Sequence, residues 1–162
     1  MTVVDIRTMV FSRNLVAHLD ALREFGCLAC RGAKAAGCRV ASLLTEVHLT
    51  PQSGTARLDG GVLEIPGEIF VNWRSGPRAL VPTPVTRRRA RNLLAKAGRT
   101  GGVAHFWLHP ENIATRPSML VNFAAVVEEI ARARDDGKLR VQIQLQHSLA
   151  LLPQSQVHDD VA

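Results

Sequence analysis

Tyrosine is absent from this chain of 162 residues, and aromatic residues make up only 4% of it. The chain therefore lacks the series of stacking side chains with which single-strand nucleic-acid binders hold bases. No apolar run approaches the length of a membrane-spanning helix, and residues 1–11 hold Asp5 and Arg7 in place of an apolar signal core. We expect a cytoplasmic protein without a membrane partner.

Cysteine is also scarce, with Cys27, Cys30 and Cys38 as its three occurrences. The first two have the C-x-x-C spacing of redox pairs and zinc sites. A redox pair places its first thiol at a helix N-terminus, and a zinc site needs further ligands such as a second C-x-x-C. Neither pattern follows here, so we predict small buried cysteines rather than a redox or metal centre.

Positive charge is in excess, with a net charge of +6 and a sequence pI of about 10.2. This balance permits a nucleic-acid partner. Much of the excess comes from one segment, Arg87-Arg88-Arg89-Ala90-Arg91, with Lys96 and Arg99 after it. A solvated helix face is the prediction, and an acidic partner surface is the alternative.

Hydrophobic periodicity predicts strands alternating with helices, which is the order of an α/β protein. Strands are predicted at residues 3–11, 27–30, 62–66, 69–73, 103–109 and 139–145. Helices are predicted at residues 15–26, 33–49 and 87–97, the last with Thr86 as its cap, and from Ser118 or Thr115 to Gly137. The last helix has a predicted buried stripe of Met119, Leu120, Phe123, Val126, Val127 and Ile130. Residues 50–61, 74–84 and 149–162 are predicted to be a loop, an irregular crossover and a tail.

The stretch at residues 101–112 carries the clearest functional signal. Two glycines open it, and an alternating run then places His105, Trp107 and His109 on one side of a strand. Pro110 ends the strand, so His109 lies at the carboxyl end, where α/β folds keep their chemistry.

The two histidines allow other interpretations. His105 and His109 have the H-x-x-x-H spacing that brings two imidazoles together on a helix. On a strand they lie roughly 13 Å apart at about 3.3 Å per residue, too far to share a zinc ion. His105 fits a packed interior histidine, whereas His109 is either a functional residue or a second packed one.

Several short blocks resemble a known family in sequence and in order. They are Phe11-Ser12-Arg13-Asn14, His18-Leu19-Asp20, Leu22, Gly26, Cys30-Arg31-Gly32, Gly61-Val62-Leu63-Glu64-Ile65-Pro66 and His105-Phe106-Trp107-Leu108-His109-Pro110-Glu111-Asn112. These blocks resemble the polysaccharide deacetylases, the NodB-homology domain, over residues 9–141. The resemblance implies a partial (β/α) barrel of mostly parallel strands with helices outside.

The resemblance also implies an activity, the hydrolysis of N- or O-acetyl groups on sugars with a divalent metal such as zinc. By position it makes Arg13 the arginine that orients a catalytic aspartate, and His109 the general acid toward the leaving group. Trp107, Asn112 and Glu64 match segments near the substrate pocket. The sequence departs from the family at Ser12, Cys30, Gly67, Glu68 and Glu111.

The family's Asp pair and H-x-x-x-H pair, which supply its base and metal ligands, have no match before Phe11. We therefore expect a truncated deacetylase-like domain at residues 1–148 with a tail at 149–162, no metal or cofactor in this chain, and no activity alone. One alternative is the complementing half of a split enzyme, with an amino-terminal half encoded upstream and an acetylated sugar as substrate once assembled. The other is a non-catalytic basic module for nucleic acid or another polyanion.

Overall fold

The structure is a computed structural model, and it describes residues 6–11, 16–32, 54–67, 69–71 and 76–153. Contacts divide the chain into two compact units. The first unit comprises Met1–Lys34, Thr55–Pro66 and Gln142–Ala162, and the second comprises Ala35–Gly54 and Gly67–Val141. The predicted helix at residues 33–49 lies outside the described residues.

The described chain is a mixed α/β fold with a parallel-rich sheet, as the periodicity predicted. Its strands are β1 (Thr8–Met9), β2 (Ala29–Arg31), β3 (Arg57–Asp59), β4 (Val62–Ile65), β5 (Ile69–Phe70) and β6 (Phe106–Trp107). Its α-helices are α1 (Leu19–Glu24), α2 (Thr83–Thr100), α3 (Pro110–Thr115), α4 (Met119–Asp135) and α5 (Gln144–Leu151), and a 3₁₀ helix covers Gly76–Leu80. The sheet of the first unit has the order β1-β2-β4-β3, and β5 and β6 form a separate pair. The barrel itself stays a prediction.

The first unit begins with the predicted βαβ unit. Strand β1 runs parallel to β2, and α1 lies between them in the chain. Gly26 takes a left-handed φ of 74° after α1, a conformation that costs glycine little, and the Cys27 N–H then donates to the Leu22 carbonyl at 2.9 Å. The chain thus turns directly from the helix into β2.

The predicted loop at residues 50–61 is wrong in its second half. Strand β3 pairs antiparallel with β4, with Leu58 opposite Leu63. Gly60 and Gly61 connect the two strands with φ values of 55° and 79°. A two-residue hairpin turn with positive φ at both positions matches the twist of the flanking strands, so the glycine pair makes a hairpin here.

In the second unit, α2 is longer at both ends than the prediction. It begins after Pro82, which is extended, and not at Thr86, which is buried inside the helix. Proline in the first turn needs no backbone donor, so the Thr83-Pro84 start is compatible with the helix. Gly98 is helical as well, and the helix ends at Gly101 with a φ of 66°. The structure buries Leu93, Leu94 and Ala97, which confirms the prediction for the inward side of this helix.

The predicted buried stripe of α4 is wrong in part. Met119 and Val126 are buried as expected, whereas Leu120, Phe123 and Val127 are exposed by 52%, 38% and 44%. The residues that replace them in the interior are Asn122, Ala125 and Glu129. Asn122 and Glu129 face α2, where they bind Thr83 and Arg91. The buried face of α4 therefore differs from the apolar stripe that the sequence predicted.

The clean alternation at residues 139–145 predicted a final strand, and this prediction is wrong. Helix α5 begins after Ile143, which is extended, and runs to Leu151, inside the segment expected to be a tail. The side chain of Gln146 accepts the Ile143 N–H at 3.2 Å, and Ser148 Oγ donates to the Gln144 carbonyl at 2.7 Å. The first contact satisfies a backbone donor at the helix start.

Within the described residues, no helix combines the length and the apolar character needed to cross a membrane.

Candidate functional site

Two short parallel strands of the second unit, β5 and β6, position the candidate site. Phe70 lies opposite Trp107 in the register of the pair. The Ile69 N–H donates to the His105 carbonyl at 3.0 Å, and the Val71 N–H donates to the Trp107 carbonyl at 2.8 Å. Because the strands are parallel, their carboxyl ends lie at one edge, and the residues that follow them meet there.

The alternation predicted for residues 103–109 is confirmed for residues 106–109 by the packing of the two sides, although strand β6 itself covers Phe106–Trp107. Phe106 and Leu108 pack against the core cluster of Val71, Ala90, Met119 and Val126. Trp107 and His109 lie instead with Phe70, away from that cluster. Successive residues of an extended chain point to opposite faces, so one side anchors the strand and leaves the other for the site.

We call Phe70, Trp107 and His109 the aromatic site. The Phe70 and Trp107 ring centroids lie 4.6 Å apart with an interplanar angle of 46°. The His109 ring lies 5.4 Å from that of Trp107 in an edge-to-face arrangement, and 5.8 Å from that of Phe70. These distances fall in the range of favourable aromatic contacts, so the three rings hold one another in place.

His109 is at the boundary between the strand and a helix. It is extended, with φ −94° and ψ 125°, and it precedes Pro110, the first residue of α3. Its side chain is 54% exposed, and its Nδ1 lies 3.7 Å from Oε1 of Glu111. A solvent-accessible imidazole beside a carboxylate is able to hold a proton and to pass it to a bound molecule.

The other predicted pocket residues lie in different surroundings. Asn112 is buried in α3, and its N–H donates to the His109 carbonyl at 2.9 Å. Glu64 belongs to the first unit, on β4, where it lies opposite Cys30 in the sheet register and close to Gly32. Arg13 lies outside the described residues. Of the predicted site residues, the structure thus brings Trp107 and His109 into direct contact.

The described residues do not fit a metal site. No group of three or more His, Cys, Asp or Glu side chains among them has an arrangement that holds an ion. Structural and catalytic zinc sites take three or four such ligands, and His109 with Glu111 supplies two.

Two arginines of α2, Arg87 and Arg91, make ion pairs within the second unit. Arg87 Nη2 lies 2.6 Å from Oε2 of Glu128, and Arg91 donates two hydrogen bonds to Glu129. Arg132 Nη1 adds a third bond to Glu129 at 2.7 Å. The side chain of Glu129 is only 4% exposed. We call these five residues the arginine–glutamate cluster.

The cluster shifts the pKa of its members. Hydrogen bonding from Arg91, followed by the charges of Arg91, Arg132 and Arg87, holds the pKa of the Glu129 carboxyl below its usual value against the opposing effect of burial. The same hydrogen bond raises the pKa of Arg91. An acidic partner surface was the alternative for the arginine-rich segment. For Arg87 and Arg91 the acidic partners are Glu128 and Glu129 of the same chain.

Cys27 and Cys30 are buried thiols, as predicted, and Cys38 lies outside the described residues. Cys27 Sγ donates to the Ile6 carbonyl at 3.4 Å. Burial, with a smaller effect of the Glu64 charge, raises the pKa of the Cys30 thiol to about 11. Because the thiolate is the nucleophile and the ligand, such a thiol is inert.

Comparisons of the chain with family models, with curated proteins and with solved structures find no match. The described fold and site define an α/β protein that carries an exposed histidine and two aromatic rings at the carboxyl ends of parallel strands.

The sequence analysis did not identify two residues of these sites, Phe70 and Glu129. Phe70 was not singled out, because its partnership with Trp107 depends on the register of β5 with β6. Glu129 was overlooked although Glu128 and Glu129 stand in a helix that follows an arginine-rich one. Paired acids next to an arginine-rich helix were the available signal.

Proposed function

We propose that this protein binds acetylated carbohydrate at the aromatic site and is related to the polysaccharide deacetylases. The observation that carries the proposal is the contact of Trp107 with His109 at 5.4 Å on the side of β6 that faces away from the core. Aromatic rings offer apolar faces with fixed geometry, and a sugar ring has apolar C–H faces that pack on them. The proposal includes a barrel of the NodB type, of which β5 and β6 would be two strands.

In this proposal each member of the site has a separate role. Trp107, supported by Phe70, contacts a sugar ring, and its position fixes where the acetylated substituent lies. His109 holds a proton on its imidazole next to that substituent. In a deacetylation a water molecule adds to the acetyl carbonyl carbon, the C–N or C–O bond breaks to leave acetate, and His109 would deliver its proton to the leaving nitrogen or oxygen.

Binding and turnover are separate parts of the proposal. The resemblance covers the sugar-facing and proton-donating motifs, whereas the family's Asp pair and H-x-x-x-H pair, which supply the base and the metal ligands, find no counterpart in the matching blocks. We propose that the isolated chain binds acetylated sugar without releasing acetate.

Calorimetric titration with fully N-acetylated chitotetraose, called chitotetraose below, tests the binding part. We expect saturable binding by the wild-type chain, and a loss of about twofold to twelvefold in affinity for Trp107→Ala, since aromatic contacts contribute about 0.5–1.5 kcal/mol beyond area burial. Phe25→Ala is the matched control, because Phe25 is 83% exposed and belongs to the other unit. Absence of saturable binding, or equal loss in the two variants, would refute the carbohydrate site.

An acetate-release assay tests the second part. The wild-type chain is incubated with chitotetraose, with and without added zinc, and we expect no acetate above the blank in either case. Zinc-dependent release that is lost in His109→Gln would overturn the proposal of binding without turnover, and would make His109 a catalytic residue of a complete enzyme.

A further inference from the structure

A groove of about 540 Å³ lies between the carboxyl-terminal halves of α2 and α4. It is within the second unit, on residues that the aromatic site does not use. Its lining is Arg91, Leu94, Ala95, Gly98, Arg99, Glu129, Arg132, Ala133, Asp136 and Lys138. Cavities of about 300–1,000 Å³ are the size in which proteins bind small molecules.

Short side chains account for the groove. Ala95, Gly98 and Ala133 stand where larger residues would fill the space between the helices, and Leu94 forms a buried apolar floor. A Cβ atom at Gly98 would lie 3.3 Å from the Lys138 carbonyl oxygen, so the chain after α4 comes close to the α2 backbone. The groove therefore offers an apolar surface closed at one end by backbone.

Charge surrounds this apolar surface unevenly. Four cationic side chains and two carboxylates line the groove, which leaves a surplus of two positive charges. Glu129 is bound by Arg91 and Arg132, and Asp136 is bound by Lys138. The side chain of Arg99 has no hydrogen bond or ion pair with any residue that the structure describes. An uncompensated guanidinium beside an apolar surface is complementary to a molecule with an anionic head and an apolar body.

The basic residues of the groove could instead serve only to stabilise the two helices, and this alternative has different consequences from ligand binding. Thr83 contacts Asn122, Arg91 contacts Glu129, and Gly98 approaches Lys138, so α2 and α4 run parallel and end together. Basic residues in the last turn of a helix stabilise its negative end. That role explains why Arg99 and Arg132 are basic, but it requires no open apolar space between them, and removing Arg99 would then alter stability alone.

We propose that this groove is a binding site for a small amphipathic anion, with a carboxylate head at Arg99 and an apolar chain along Leu94, Ala95 and Ala133. This site is distinct in its residues from the aromatic site and does not depend on the proposed carbohydrate function. A bound carboxylate takes the N–H donors of Arg99, and the chain removes the apolar floor from water.

Calorimetric titration of the full chain with decanoate, below its micelle concentration, tests the proposal. We expect saturable one-to-one binding, weaker binding of decanol, and no binding of acetate in the same range. Arg99→Gln should lose about twofold to fivefold in decanoate affinity, as for an exposed ion pair, without altering that for decanol. Ala95→Leu, which places a larger side chain in the groove, should lose about tenfold for both ligands.

The matched control is Arg88→Gln. Arg88 lies on the same helix, carries the same charge and does not line the groove, so its removal should leave decanoate affinity unchanged. Equal losses in Arg88→Gln and Arg99→Gln would indicate general charge attraction and overturn the site. Unchanged affinity in Arg99→Gln, with a lowered urea midpoint, would assign Arg99 to helix stabilisation instead. The urea midpoint of each variant shows whether it remains folded.

Discussion

Arg91 binds the carboxylate of Glu129 through two hydrogen bonds, from Nε to Oε2 at 2.9 Å and from Nη2 to Oε1 at 3.0 Å. This bidentate contact joins α2 to α4 and involves a residue on the buried side of α4. A two-bond contact between a planar guanidinium and a carboxylate fixes orientation as well as distance. The second unit is therefore aligned by polar contacts in addition to its apolar core.

The first prediction concerns the removal of that carboxylate charge. Glu129→Gln should lower the free energy of unfolding by about 1–3 kcal/mol, because it leaves Arg91 and Arg132 facing each other without the charge that binds them. Glu128→Gln is the control, since Glu128 is 52% exposed and its loss should cost less than about 1 kcal/mol. Urea unfolding of both variants measures the difference; equal costs would contradict a special role for Glu129.

The second prediction concerns acid. The fold lowers the pKa of Glu129, so the stability from its ionised form is fully present above the unfolded value of about 4.3, and it is lost as the pH falls through the lower folded value. The difference in urea midpoint between the wild type and Glu129→Gln should be constant near neutral pH and should narrow below about pH 4. A difference that persists unchanged at the lowest pH would show that Glu129 stabilises the fold by packing and not by charge.

The third prediction concerns the start of the same helix pair. Thr83 Oγ1 donates to Oδ1 of the fully buried Asn122 at 2.6 Å, and Asn122 Nδ2 has no hydrogen-bond partner within the described part of the chain. Thr83→Val should cost about 1–3 kcal/mol, because it leaves a buried amide oxygen unsatisfied.

Combination with Asn122→Leu should recover most of that loss, since both polar groups are then absent. Urea unfolding of the two single variants and the double variant gives the coupling energy. Additive effects would show that the Thr83–Asn122 bond does not stabilise the fold.

The fourth prediction concerns alkali and the first unit. Burial raises the pKa of Cys30 to about 11, so the neutral thiol stabilises the fold fully below the unfolded value of about 8.5, and this stability is lost as the pH rises toward 11. Between about pH 8 and pH 10 the wild type should lose roughly 1–2 kcal/mol more than Cys30→Ala. The comparison uses urea midpoints at both pH values; parallel losses would indicate that Cys30 ionises equally in the folded and unfolded chain.

The sequence was most informative where local and packing signals agreed. In the stretch around Trp107, alternation, aromatic residues and a terminating proline all favoured a strand, and the two sides of that strand pack as predicted. The turn at Gly26 was likewise local, because a left-handed residue after a helix favours glycine. His109 at the strand end followed from the same pattern.

Prediction failed where distant partners determine the structure. Leu120, Phe123 and Val127 form an apolar stripe that sequence alone would bury, but Glu129 and Asn122 are turned inward because α2 presents Arg91 and Thr83 to them. The alternation at residues 139–145 predicted a strand, whereas the helix begins at Gln144 and the Gln146 side chain accepts the Ile143 N–H at its start. Which face of a helix finds polar partners is not encoded within that helix.

The strand pair that carries the aromatic site has two residues in each strand. So short a ladder has little stability of its own, and Phe106 and Leu108 fasten it to the core that α2 and α4 build. In native-state deuterium exchange, the Val71 amide, which donates to the Trp107 carbonyl, should open together with the amides of that core. A substitution that destabilises the packing of α2 against α4 would then also disrupt the aromatic site, although Phe70, Trp107 and His109 are unchanged.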